Sequence, residues 1–408
     1  MITPAYSPTA TERVLPRLAL DFTTGVLDPR VTITRALNTA THVNSNGYIE
    51  SVNANLPRFD YNPTTLAAKG LLIEEQRTNN LLYSEAFSEP VWTTNQVTVS
   101  VDATAAPSNS VTADKLIPNT NNGAHNIYAS FTYAAAAYTL SIFAKAAGYS
   151  WLKLGSMFTG NGVYFDVANG VIGTADAGHT ATITAAANGF YRCTVTWTAS
   201  AGGDLPGLYV ANANGSNSFA GDGTSGIYVW GAQLEAGSFA TSYIPTTTTS
   251  LTRNADVVQM TGTNFSSWYN ASQGAIYVEG SRFTSLVFSA QVAISDGTTT
   301  NEIYICSNTP AYGGTSAFCR ISAATGGDTA VGPTAVNTTA KMMLAYGTTN
   351  SFVVNGSAGS AIVASQPTVD RMLIGARGNG SNSLNGYVRK IMYYPQRLTD
   401  RQIQAISK

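Results

Sequence analysis

Carboxylates, histidines and cysteines are the side chains through which this chain could do chemistry, so their spacing comes first. Glu74 and Glu75 are adjacent in the strand-like run GLLIEE. Consecutive side chains of a strand point to opposite faces, so the two cannot flank one substrate as an acid and a nucleophile would. His42, His125 and His179 fall in unrelated turn-like contexts and read as surface histidines. Cys193, Cys306 and Cys319 have no metal-ligand spacing. Their odd number, without a secretory leader, predicts reduced thiols packed as small apolar groups, although Cys306 and Cys319 are spaced to face each other across a hairpin. No G-x-S-x-G elbow, H-E-x-x-H pair or P-loop occurs. GDGTSG from 221 and SDGTTT from 295 read as Asp-Gly turns. These residues assign no catalytic group, metal ligand or cofactor, and the reading is of a protein that is not an enzyme.

What remains is contact chemistry. Sugar rings present apolar C–H faces, so their sites combine an outward aromatic platform with polar hydrogen-bonding groups. Period-two alternation assigns the faces of four strands. In YTLSIFAKA, Leu140, Ile142 and Ala144 oppose Phe143 and Lys145. In VYFDVANGV, Val163, Phe165 and Val167 form the core face before an Asn169-Gly170 hairpin turn, and Tyr164 and Asp166 point out. In YRCTVTW, Tyr191, Cys193, Val195 and Trp197 share a face, and in LYVA, Leu208 and Val210 point in while Tyr209 points out. Each sheet then has one dry and one wet side. The candidate glycan-binding set is Trp151, Lys153, Tyr164, Asp166 and Tyr209. The same tyrosines could instead pair across strands or meet another subunit. Trp197 and Trp230 are assigned to the core or to an interface between modules.

The elements that must position this set are those of an all-β protein. A chain of 408 residues exceeds one small sandwich. With only 11% charged residues and many Gly, Thr, Ser, Ala and Asn, it is unlike a helical bundle. The net charge of −1 and the lack of a basic cluster argue against nucleic acid. MITPAYSPTATERVLPR has no apolar h-region, and no run of eighteen apolar residues follows, so neither a signal peptide nor a membrane span is expected.

The reading in order is an extended N-terminal arm, 1–17; a β segment, 18–79; a jelly roll, 80–246; a linker, 247–256; and a second sandwich, 257–408. Residues 18–79 are too thin for their own two-layer core and should complete a neighbouring sandwich or a subunit interface. Asn46-Gly47 suits a two-residue type I′ hairpin. In the second sandwich, eight strand candidates run from GAIYVEGS to GYVRKIMYY. Thr399 and Gln402 suit a capping box for a short C-terminal helix, with Leu398 and Ile403 as its staple and Ile403 and Ile406 on the packed face.

Two strings add a resemblance. RFDYNPTTLAAKGLLIEEQRTNNLLYSEAFSEPVW (58–92) and GDGTSGIYVWGAQLEAGSFATSYIPT (221–246) resemble a module of phage virion proteins found in tail or head fibres and related appendages. That module looks like a carbohydrate-binding jelly roll. The segment SFVVNGSAG followed by RMLIGARGNGSNSLNGYVRKIMYYPQRLTDRQIQAIS resembles the closing strands of concanavalin A or laminin-G type sandwiches. The resemblance implies a virion structural protein, assembled in the host cytoplasm and joined to other virion proteins through its N-terminal region. It also implies contact with host-surface polysaccharide. Such fibre proteins are often trimers, but no heptad run enforces a homo-oligomer here. Calcium in such jelly rolls would draw on Glu85 and Glu235, yet the closing strand YVWGAQLE lacks the usual paired aspartates. Catalytic members of concanavalin-like folds carry E-x-D-x-x-E, which is absent. The alternative is a purely architectural or decoration protein. Glycan-array binding lost in Trp151→Ala separates the two.

Overall fold

The computed structural model describes residues 15–284, 288–308, 316–323 and 326–408. Its strand ladders are antiparallel, with short α-helices at Thr263–Ser266 and Asp400–Ile406 among the described residues. The chain divides into two compact units. One comprises residues 36–68 and 76–254; the other comprises residues up to 35, residues 69–75, and residues 255–408. The β segment read as 18–79 is therefore shared out. Leu18–Asp21 pairs with Lys390–Tyr393, Thr32–Thr34 with Val257–Gln259, and Leu71–Ile73 with Gly386–Val388, all within the second unit.

In the first unit, one sheet runs Thr180–Ala185, Tyr191–Ala199, Ala136–Ala147, Gly226–Ala236, Val111–Pro118, Val97–Ala105. The other runs Val171–Ala175, Gly162–Asp166, Trp151–Ser156, Pro206–Ala211, Asn122–Tyr128, Ser218–Ala220. The core joins Leu140, Ile142, Cys193, Val195 and Trp197 of the first to Leu152, Val163, Phe165, Leu208 and Val210 of the second. These are the faces that alternation assigns, because a strand buried on one side must place every second residue there.

The outer side of the first sheet differs from the expected wet face. Phe143, Phe190, Trp230 and Tyr243 form a second buried cluster, against which Ile49 packs. Trp230 reaches that side by plain alternation with the core residues Ile227 and Val229; a register shift near Gly231, whose φ is +65°, then returns Ala232 and Leu234 to the core face. Trp197 and Trp230 thus both belong to this unit's interior.

Two turns depart from expectation. Asn46-Gly47 is not a two-residue turn: Val43 pairs with Ile49 around a five-residue loop, in which the Asn44 carboxamide accepts from the Asn46 and Tyr48 amides and, of the Asn46-Gly47 pair, only Gly47 has a positive φ. The 247–256 stretch is not a free linker either, since Leu251–Arg253 pairs with Arg77–Asn79. Asn169-Gly170 does close a hairpin, with Asp166 opposite Val171.

All eight strands read in the second sandwich are present, the second resolving to Ala290–Ser295; residues 285–287 of that stretch lie outside the described residues. One sheet centres on Gly274–Arg282, Ala340–Tyr346 and Gly386–Tyr394, the other on Ala290–Ser295, Glu302–Cys306 and Arg371–Ile374. Thr399 and Gln402 form the capping box, and Leu398 and Ile403 are buried with Tyr277 and Met343. Cys306 and Cys319 are free, buried and out of register, with Ile305 opposite Cys319 and Cys306 opposite Phe318, so neighbouring positions send them to opposite faces. The arm read as 1–17 falls outside the described residues up to 14; Arg17 donates its amide to the Tyr393 carbonyl. No described helix is long and apolar enough to cross a membrane.

Candidate functional site

The five side chains read as a glycan-binding set come together on the outer face of the second sheet of the first unit. Register places Lys153 between Tyr164 and Tyr209, with Asn126 next to Tyr209, and puts Trp151 opposite Asp166 one row along. All point away from the apolar core, as alternation requires. Their exposure is another matter. Tyr164 and Tyr209 are only 6% and 9% exposed, and Lys153 and Asp166 are equally buried. Trp151 is half-buried, its ring packed against Gly173, where an added Cβ would fall 2.6 Å from Cζ3. The expected row of outward aromatics is thus a closed ladder from which only Trp151 offers substantial ring surface.

The polar members are committed to holding loops. Asp166 accepts from the Ala168 and Asn169 amides and from the Asn169 side chain, closing its own hairpin. Lys153 Nζ donates to the Gly160 carbonyl at 2.6 Å, pairs with Asp176 at 2.9 Å and lies 5.2 Å from the Tyr164 ring centre. Asp176 also accepts from the Gly162 amide at 2.8 Å. Burial raises the phenol pKa of Tyr164 and of Tyr209, so both stay neutral hydrogen-bonding groups.

The loop that Lys153 pins carries the feature that strand patterning misses. Phe158, at the tip of the hairpin between Trp151–Ser156 and Gly162–Asp166, is 76% exposed. It borders a cavity of about 390 Å³ with Phe131, Ser130, Thr132, Asp204 and Leu205. Phe131 sits opposite Asp204 in the small ladder Phe131–Tyr133 with Gly202–Asp204, and its ring is wedged edge-on against Tyr133 at 4.8 Å. Asp204 Oδ1 accepts from the Ser156 hydroxyl at 2.5 Å and from the Leu205 amide at 2.7 Å. Ser156 Oγ in turn accepts from the Thr159 amide, and the Met157 amide donates to the Leu205 carbonyl. The backbone of the hairpin tip is therefore tied down on both flanks of Phe158. In the sequence Phe158 sits among glycines, Thr159 and Asn161, with no alternation partner; its only signal was a large aromatic at a loop tip.

Lys153→Met should free this tip. The variant loses the Asp176 pair and the Gly160 bond, a cost of about 1 kcal/mol because Asp176 is partly exposed. The hydrogen bond from Lys153 holds the Asp176 carboxyl below the usual carboxylate range. A depressed carboxylate contributes stability above its unfolded pKa and loses it as pH falls through the folded value. Amide protection factors at 157–161, taken against the intrinsic rate at each pH, should accordingly fall in the wild type on acidification below about pH 4, and be already low at neutral pH in Lys153→Met. Equal protection in the two proteins at pH 7 would contradict the pinning role.

The other groups singled out for chemistry are structural. Glu235 is buried and accepts from the amide and hydroxyl of Thr241, while Glu85 accepts from the Tyr243 hydroxyl and has its carboxyl pKa raised by burial. Among the described residues no group of three or more His, Cys, Asp or Glu gathers as metal ligands would. Asp222 and Asp296 accept from donors of their own turns. Glu75 binds the Asn385 carboxamide. His125 is not a surface residue: it is fully buried, with each ring nitrogen 2.8 Å from a carbonyl oxygen, of Gln96 and Phe219. His42 bridges Phe59 and Glu50, and His179 stacks on Trp197.

No protein-family model matches this chain, and no curated protein matches it. Among solved structures, it is similar to the CBM40 module of the Ruminococcus gnavus IT-sialidase bound to α2,6-sialyllactose, at 13% identity and TM-score 0.30 over 34% of this chain and 85% of that one. The α2,3-sialyllactose complex of the same module gives 15% identity and TM-score 0.28 over 34% and 84%. Domains LG4-5 of the mouse laminin alpha1 chain give 8% identity and TM-score 0.23 over 69% of this chain and 90% of that one.

Proposed function

We propose that this chain is a non-catalytic structural protein of a phage fibre or appendage whose first sandwich touches host-surface glycans. The observation that carries the glycan part is the hairpin end: an exposed aromatic on a hydrogen-bonded loop tip beside a small cavity with hydroxyls and a carboxylate. Its volume lies near the lower end of the ~300–1,000 Å³ typical of ligand pockets. Trp151, on the outer face of the same hairpin, supplies further stacking surface, with Lys153, Tyr164, Asp166 and Tyr209 shaping the ladder beneath. The virion assignment rests on the residue strings 58–92 and 221–246. It carries with it assembly in the host cytoplasm, attachment through the N-terminal region, and a homo-oligomeric state.

A shallow site of this kind binds at about millimolar Kd, about −4 kcal/mol. Copies arrayed on one particle raise avidity by orders of magnitude without better contacts, so a weak site suffices. Purified full-length protein, multimerised on beads, should be retained by a glycan array, and both Phe158→Ala and Trp151→Ala should reduce retention. Retention unchanged in both variants would move the contact elsewhere.

The architectural reading has its own observation. Val171 and Ile172, on the edge strand Val171–Ala175, are exposed, and an apolar edge of this kind suits strand-to-strand docking with another subunit. Dissociation of an oligomer by Val171→Lys, without any glycan retention by the parent protein, would favour that reading.

A further inference from the structure

We infer that the cavity beside Phe158 accepts an uncharged sugar ring and rejects sugars bearing a carboxylate; this rests on the glycan-binding reading above. Asp204 is the one ionisable side chain in its lining. One of its oxygens is used by Ser156 and Leu205, while Oδ2 takes no hydrogen bond from the described residues and is left to accept from a ligand. An ionised carboxylate only accepts, so its partner must donate, as neighbouring hydroxyls of a pyranose do. A sialic acid or uronic acid would instead bring a second carboxylate to the same wall. No cation stands among the cavity's described lining residues, and Lys153 of this hairpin is already held by Asp176 and the Gly160 carbonyl.

The remaining lining suits the rest of such a ring. Phe158 has no polar edge and offers only a face, against which the C–H face of a pyranose stacks. Ser130 and Thr132 supply hydroxyls that both donate and accept. The pinned hairpin means that little ordering is required on binding.

The test is saturation-transfer NMR on the full-length protein with methyl glycosides of glucose, galactose, mannose and N-acetylglucosamine, alongside N-acetylneuraminic acid and glucuronic acid. At least one neutral glycoside should receive saturation and neither acid should. Phe158→Ala should weaken that binding about tenfold. Asp204→Asn, which keeps an oxygen for the Leu205 amide, should weaken it tenfold or more and admit the acids. Thr132→Val, away from the Asp204 network, serves as a second variant should Asp204→Asn fail to fold, and should also weaken the neutral sugar. Binding confined to the acids, or neutral-sugar binding indifferent to these substitutions, overturns the inference and leaves glycan binding standing. Saturation of none of the sugars overturns the glycan reading itself.

Discussion

Replacing Glu302 by alanine will destabilise the second sandwich by roughly 2–3 kcal/mol, because the carboxylate is buried while the Arg377 guanidinium it leaves behind is only partly so. Glu302 is 0% exposed on its sheet, opposite Ser295 and Ser322. One carboxylate oxygen takes both Nε and Nη2 of Arg377, and the other takes the Gly378 amide at 3.1 Å. The guanidinium lies 4.7 Å from the Tyr304 ring centre and 5.7 Å from that of Phe288. Without the carboxylate this charge faces aromatic rings and the buried Cys306, and the Gly378 amide loses its acceptor. Urea unfolding followed by the fluorescence of Trp268, the one tryptophan of this unit's sequence, reads the loss. Exchanging both partners, Glu302→Leu with Arg377→Met, should recover most of it, because no buried charge then remains unpaired. A midpoint unchanged in Glu302→Ala would contradict the buried-pair account.

Trp230→Ala should cost the first sandwich about 3–5 kcal/mol. The indole is 2% exposed between Phe143 and Tyr243, with ring centres 5.4 and 4.6 Å away, and its Nε1 donates to the Thr112 hydroxyl at 3.1 Å. Truncation opens a cavity beside Phe143 and Tyr243, whose rings already meet edge-on with centres 6.1 Å apart and so have little room to close into it. The remaining tryptophans of that unit report the transition. Trp230→Phe, which keeps a ring, should recover the larger share; equal loss in the two variants would assign the effect to the Thr112 hydrogen bond and not to packing.

Much of this architecture was legible from alternation. Ile142 against Phe143, Phe165 against Tyr164, and Val210 against Tyr209 divide as a period of two requires, because one side of each strand meets an apolar core. The C-terminal cap was legible for an equally local reason, since Thr399 and Gln402 satisfy each other's backbone amides within one turn. Alternation does not say what covers the other side. Phe143 is closed over by a cluster that includes Trp230 and Tyr243, and the bulge at Gly231 then breaks the period, so that Ala232 and Leu234 take the core face instead of continuing the alternation of Ile227 and Val229. Tyr164 and Tyr209 lose their exposure alongside a lysine whose partner, Asp176, lies two strands along the chain from it. The splitting of residues 18–79 between the two units, and the pairing of Leu251–Arg253 with Arg77–Asn79, depend on contacts across most of the chain that no local pattern carries. Phe158 was invisible to strand reading because it is in no strand.

On the proposed function, the hairpin end of the first sandwich is where sugar makes contact. Amide chemical-shift mapping of the full-length protein, titrated with a neutral methyl glycoside to tens of millimolar, tests it most directly. Saturable shifts should be confined to Ser130–Thr132, Phe158–Gly160 and Gly203–Leu205, and be absent in Phe158→Ala. Shifts that stay away from these amides, or amides there that respond only to protein concentration as a subunit contact would, contradict it.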